Sequence, residues 1–223
     1  MLSEPVAQFY IDKPETSQSR GVDLSVPHFI LFEAMDDPFS GVVQKLFEYG
    51  QCPYERIEVS NNKVLKSKGV TISKLPALQF DGLTLTGFST ICRAIATRVG
   101  LDGCSVKESN EVDMIVNFVE AEMTRLRPLI QRLEVEETES DDDDDLQNEQ
   151  PFASKYEGFD FKLAPILDAR LRSNRSKTLV GKSLTWADYV LVYFMRTLIE
   201  HVGGQILDDY PDLAHYYHKN HAL

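Results

Sequence analysis

Lys74-Leu75-Pro76-Ala77-Leu78-Gln79-Phe80-Asp81-Gly82-Leu83-Thr84-Leu85 leads into Ser89-Thr90-Ile91-Cys92-Arg93-Ala94-Ile95-Ala96. The stretch reads as strand, tight turn, strand, helix. Ala77 to Phe80 and Leu83 to Leu85 have strand composition, and Asp81-Gly82 between them is a strong hairpin signal. Pro76 stands just before a strand of buried character and has no N–H for a ladder. It predicts a turn or a cis bond that exposes the backbone of Leu75 to a ligand.

Outward from this stretch, the preceding residues supply the rest of a small sheet. His28 to Phe32 is a short apolar strand. Asp37 is placed to cap a helix with Pro38 at its first position. That helix runs through Val42, Val43, Leu46 and Phe47 and stops at Gly50. Tyr54 to Val59 is a second strand. The order is β-α-β-x-β-β-α, with Gly100 to Ser105 as a linker. Met1 to Val26 is polar, with scattered Pro, Ser and Gly, and reads as an extension ahead of the fold.

Beyond Lys107 the periodicity is helical. Val112, Ile115, Val116, Val119, Met123, Leu126, Leu129, Ile130 and Leu133 recur at helical spacing. They fill more than one stripe, so the excess predicts a partner surface. Pro128 predicts a kink or a break. Lys155 to Arg172 reads as a further amphipathic helix through Phe159, Leu163, Ile166, Leu167 and Leu171. In Gly181-Lys182-Ser183-Leu184-Thr185-Trp186-Ala187-Asp188-Tyr189, Thr185 caps a helix and Asp188 reaches back, with Leu184 and Tyr189 as the staple.

Charge is unevenly distributed. The net charge is −12, and ten acidic residues with no basic one lie between Glu134 and Glu149. Such a run repels itself and buries nothing, so a solvated, mobile loop is expected. Its Thr138-Glu139-Ser140-Asp141 pattern suits acid-directed kinases, and its charge suits a basic protein partner. The overall balance argues against nucleic acid and anionic membrane surfaces. Mean hydropathy is −0.25, and no apolar run approaches the roughly 20 residues that span a bilayer. Met1 to Pro5 lacks the layout of a secretory leader. Cys52, Cys92 and Cys104 are odd in number and form no CxxC, which argues against a disulfide framework or a zinc site and fits a reducing cytoplasm. His215, His218 and His221 share a helical face without a fourth ligand and read as a solvated surface, not a metal site.

The Leu-Pro…Asp-Gly…Ile-x-Arg run, joined at the right distance to Gly-x-Ser-x-Thr-x-Ala-Asp, resembles the glutathione transferase superfamily, in particular its sigma-like members. The resemblance runs from about Pro27 to the C-terminus. It implies an α/β thioredoxin-like domain over 27–100 and an all-α helical domain over 106–223, with an acidic insertion at 134–150. It also implies a homodimer, with Asp113 matching an aspartate that reaches across the dimer in some members.

The resemblance implies a glutathione site as well, and there the chain departs from the pattern. The hydroxyl donor that activates the glutathione thiol belongs at the end of the first strand, where alignment puts Phe32. The arginine that follows is replaced by Met35-Asp36-Asp37-Pro38. The Gln-Ser pair that holds the γ-glutamyl end aligns with Gly87-Phe88, and Ser89 lies one place later. Leu75 and Pro76 remain for backbone pairing, and Lys66 for the glycyl carboxylate. The tryptophan expected upstream of Lys66 is replaced in Asn61-Asn62. Four departures at one site predict a non-catalytic or weakly active member, with weak glutathione binding at most and no metal, acting as a dimeric binding module. The alternative is an active transferase that uses Ser89 or Tyr49, conjugating small electrophiles or isomerising a prostanoid-like substrate. A thiol oxidoreductase would need a cysteine in Asp36-Asp37-Pro38-Phe39, which has none.

Overall fold

The structure is a computed structural model that describes residues 29–34, 40–60, 65, 75–139 and 161–223. The expected N-terminal extension, the Asp37-Pro38 cap, Asn61-Asn62, Lys66 and the acidic run from Ser140 onward lie outside the described residues.

Four strands form one mixed sheet. β1 (Phe29–Glu33) is followed by helix α1 (Ser40–Tyr49) and β2 (Tyr54–Glu58), then by β3 (Ala77–Phe80), β4 (Leu83–Thr86) and helix α2 (Phe88–Val99). The strand order is β2-β1-β3-β4. β1 and β2 are parallel, as a helical crossover between them requires. β1 pairs antiparallel with β3, and β3 with β4. Asp81 and Gly82 both take positive φ, 48° and 76°, the backbone of a tight hairpin turn. The Leu75–Pro76 bond is cis, as the sequence predicts.

Alternation along β1 assigns the two faces of the sheet. Phe29 and Leu31 join Leu78 and Phe80 against Val42, Val43, Leu46 and Phe47 of α1 and Ile91, Cys92 and Ile95 of α2. Phe32 points the other way, into a smaller cluster with Val59, Leu65 and Ala77, which Ile30, Ile57 and Leu75 flank. β1 is thus apolar on both sides, as expected for a central strand with cover on both faces.

The helical half begins with α3 (Val106–Glu139), followed by α4 (Ala164–Ser173), α5 (Trp186–Val202), a 3-10 turn (Gly204–Leu207) and α6 (Pro211–Asn220). Val112, Ile115, Val116, Val119, Met123 and Leu126 form the buried stripe of α3. Ile115 and Met123 are core residues; Val106, Met114 and Phe118 are the exposed large apolar residues of α3, the last two four residues apart. One expectation changes here. The acidic run starts as helix, not loop: α3 continues through Pro128 to Glu139. Glu, Leu and Arg are good helix formers, and these residues extend a helix already nucleated by its buried stripe. α4 starts at Ala164, with Pro165 in its first turn. Ile166 faces solvent and Phe161, ahead of the helix, is buried in its place.

The two halves share one core, since the cluster that includes Leu31 and Phe47 continues into Val116, Trp186 and Phe194. Contact is close where α1 meets α5: a Cβ on Gly41 would collide with the Tyr193 ring. The start of α5 is anchored by Asp188, whose carboxylate accepts the Thr185 N–H at 2.7 Å and its hydroxyl at 2.9 Å. The other oxygen accepts the Tyr216 hydroxyl at 2.7 Å and the Leu179 N–H at 3.3 Å. The capping arrangement expected between Thr185 and Asp188 is therefore present, and α6 is tied into it through Tyr216.

Candidate ligand cleft at the head of the first strand

In open α/β sheets, ligands bind beyond the carboxyl ends of strands where the strand order switches direction. Here that place is the end of β1, between β2 and β3. Three features meet there. Glu33 is the last residue of β1. The β1–β3 register pairs Phe32 with Ala77, so one step further sets Glu33 beside Pro76. The Pro76 carbonyl then accepts the Gly87 N–H at 3.1 Å, which brings the start of α2 to the same end of the sheet. Gly87 takes φ 92° as the N-cap of α2 and supplies no side-chain cap.

Of the residues singled out from sequence, Leu75 is half-buried in the second cluster and Pro76 is buried beside it. Phe32 is fully buried on the face away from α1 and α2, so it is a core residue and presents nothing to that face. Phe88 is likewise core. The Ser89 hydroxyl donates to the Glu120 carboxylate on α3. Asp113 pairs with Arg93 of its own chain at 2.6 Å. Burial and the nearby Asp102 push the Asp113 carboxyl up, against the pull of Arg93. Ser89, Arg93 and Asp113, with Thr90, Asn117 and Trp186, line a small polar cleft of about 150 Å³ between α2 and α3. Tyr49 sits at the far end of α1, its ring edge-on to Tyr189 at 6.0 Å.

The residue that sequence reasoning missed is Glu33. It follows the parity of Phe29 and Leu31, towards α1, and is fully buried. Arg56 of β2 donates to its Oε2 at 2.7 Å, and Gln44 of α1 reaches the same oxygen at 3.5 Å. Arg56 also pairs with Glu58 at 3.1 Å, and its hydrogen bond to Glu33 raises its already high pKa further. Among the described residues, Glu33 Oε1 is buried with no hydrogen-bond partner. The one signal for Glu33 in the sequence is a charge immediately after an unbroken apolar strand.

The comparisons with known proteins agree with this architecture. The family model for the glutathione S-transferase C-terminal domain matches residues 142–223. A probable glutathione S-transferase 9 of Caenorhabditis elegans is 25% identical over 183 residues, covering 82% of this chain and 85% of that protein. Glutathione S-transferase 1 of Ascaris suum is 31% identical over 61% of this chain and 62% of its own length. Hematopoietic prostaglandin D synthase of Gallus gallus is 28% identical, covering 77% of this chain and 79% of that protein. Among solved structures, a monomeric glutathione S-transferase from the hookworm Necator americanus superposes with a TM-score of 0.70. It covers 86% of this chain and 90% of its own at 22% identity, a likeness of fold. The mixed four-stranded sheet with its helical C-terminal domain is the glutathione S-transferase fold, and the chain is similar in sequence to glutathione S-transferases.

Proposed function

We propose that this chain is a glutathione transferase-like binding module that has given up thiolate catalysis. The observation that carries the reading is the end of β1. A hydroxyl there would stabilise a thiolate by hydrogen bonding in a water-poor site, and such a donor is worth several kcal/mol, roughly 3. Phe32 faces away from α1 and α2, and the next residue, on the α1 side, is a buried carboxylate. A carboxylate accepts hydrogen bonds and repels anions, the reverse of what a thiolate needs. The γ-glutamyl anchor is also weakened. Gly87 has no side chain, Phe88 is buried, and the Ser89 hydroxyl is committed to Glu120.

The module is a cytoplasmic homodimer, divided at 100–105 into a thioredoxin-like and a helical domain. Met114 and Phe118 on α3 supply its apolar contact. The acidic segment beyond α3 is a second interaction element, for a basic protein partner. Leu75 and Pro76, with Lys66, remain as a partial glutathione subsite. The relatives named as glutathione S-transferases and as a prostaglandin D synthase support the ligand class. The test is a calorimetric titration with glutathione beside a conjugation assay with chlorodinitrobenzene. Weak or absent binding with negligible turnover is expected. Conjugation at ordinary transferase rates would overturn the reading in favour of an active enzyme.

A further inference from the structure

We infer that the buried carboxylate of Glu33 makes the head of β1 a hydrogen-bond acceptor. It takes a protonated donor group of a ligand, an S–H, O–H or N–H, and turns away an anion at the same place. The inference rests on the proposed ligand cleft and specifies the chemistry of its reacting end.

Among the described residues, Arg56 and Gln44 both bond the same oxygen of Glu33, Oε2. Oε1 is buried and has no hydrogen-bond partner among them. Buried polar atoms are almost always paired, and an unpaired one on an ionised group is costly, so it is a position that a ligand can complete. Location comes next. Glu33 ends the central parallel strand at the switch point of the sheet. It lies one register step from Pro76, whose carbonyl holds the start of α2. A group bound there meets an acceptor. Charge completes the argument: Arg56 divides its cation between Glu33 and Glu58, so the cluster of three carries a net negative charge.

A thiol bound against Oε1 is therefore held as S–H, donating a hydrogen bond to the carboxylate and keeping its proton. The site opposes formation of the thiolate, and an anionic group in the same position is repelled.

The experiment compares three probes by calorimetry: glutathione, S-methylglutathione, which has no S–H, and glutathione sulfonate, which carries an anion at the sulfur. Wild-type protein should prefer glutathione over the sulfonate by about tenfold or more. Glu33→Gln keeps an oxygen for Arg56 and removes the charge. It should bind the sulfonate about tenfold tighter than wild type does, including the case where wild-type binding is undetectable. Glu33→Met tests the same loss of charge without the amide. Equal sulfonate affinity in wild type and both variants, an absence of binding in all three included, overturns the inference. So does wild-type protein that binds the sulfonate as tightly as glutathione, a comparison that needs no variant to fold. The proposed loss of catalysis fails separately, on the conjugation rate. The Glu33 inference is decided by relative affinities alone.

Discussion

Asp188 ties the start of α5 to α6 and to the chain segment ahead of the helix. It is fully buried, and its carboxylate accepts four hydrogen bonds, from the Thr185 N–H and hydroxyl, the Leu179 N–H and the Tyr216 hydroxyl. Thr185 and Tyr216 are themselves buried. Asp188→Ala strands these donors together. Each buried donor left unpaired costs about 1–3 kcal/mol. Against this, the variant no longer buries a carboxylate, a relief of several kcal/mol after relaxation, roughly 3. The Thr185 hydroxyl can also turn elsewhere. The net loss should be about 3 kcal/mol, within the range for breaking a buried charged network. In a chain of 223 residues that lowers Tm by about 6–12 °C.

Tyr216→Phe removes one donor and leaves Asp188 with three, at a cost of about 1.5–2 kcal/mol. The double variant should lose less than the sum of the two, by about 1 kcal/mol or more, because the Tyr216 hydroxyl is stranded only once. The assay is urea unfolding of the two single variants and the double variant, followed by circular dichroism. An Asp188→Ala cost under about 1 kcal/mol, or strict additivity in the double variant, would refute the network.

At alkaline pH, burial raises the Tyr189 phenol to about 12, and burial and Asp188 raise Tyr216 well above 10.0. Both groups have folded values above their unfolded ones, so the stability they contribute is complete below pH 10.0 and is lost above it, for Tyr189 as pH rises through about 12. Urea midpoints across that window should fall, and Tyr189→Phe should flatten the decline. At acid pH the sign reverses for Glu122. Burial pushes its carboxyl up, but the bonds from Arg125 and the Lys162 N–H outweigh burial and hold it below 4.5. Its contribution is present above that value and disappears as pH falls through the lower folded value, so Glu122→Gln should be less acid-sensitive than wild type. At the proposed dimer surface, Phe118→Glu puts a charge on an exposed apolar position and should convert dimer to monomer at micromolar concentration with Tm nearly unchanged. A wild-type protein that sediments only as monomer would remove the dimer.

The fold was legible because its punctuation is local. Asp81-Gly82 admits one kind of turn, Pro76 marks the start of a strand, and Thr185 with Asp188 marks the start of a helix. Each signal lies within four residues of what it specifies, so no tertiary knowledge is needed to read it. The end of α3 was less legible, because a run of glutamates suits both a solvated loop and a helix extended from a packed one. The site was the least legible, for a reason of period. In a strand exposed on one side, the alternation of polar and apolar residues reveals which residues face the core. Phe29, Ile30, Leu31 and Phe32 are apolar at every position because β1 is covered on both faces, so the sequence contains no parity to read. With parity lost, the end of the strand is ambiguous by one residue, and a one-residue slip exchanges the faces. Phe32 then stands where Glu33 belongs. Parity became visible through long-range contacts alone, Phe29 and Leu31 against α1, and Gln44 of α1 against Glu33. The same slip separates two chemical readings. A phenylalanine at the head of β1 is a donor that has been deleted, whereas a buried carboxylate with an idle oxygen is an acceptor that has been installed. The first describes a site that has decayed. The second describes one whose preference has been reversed, and the comparison of neutral with anionic probes distinguishes them.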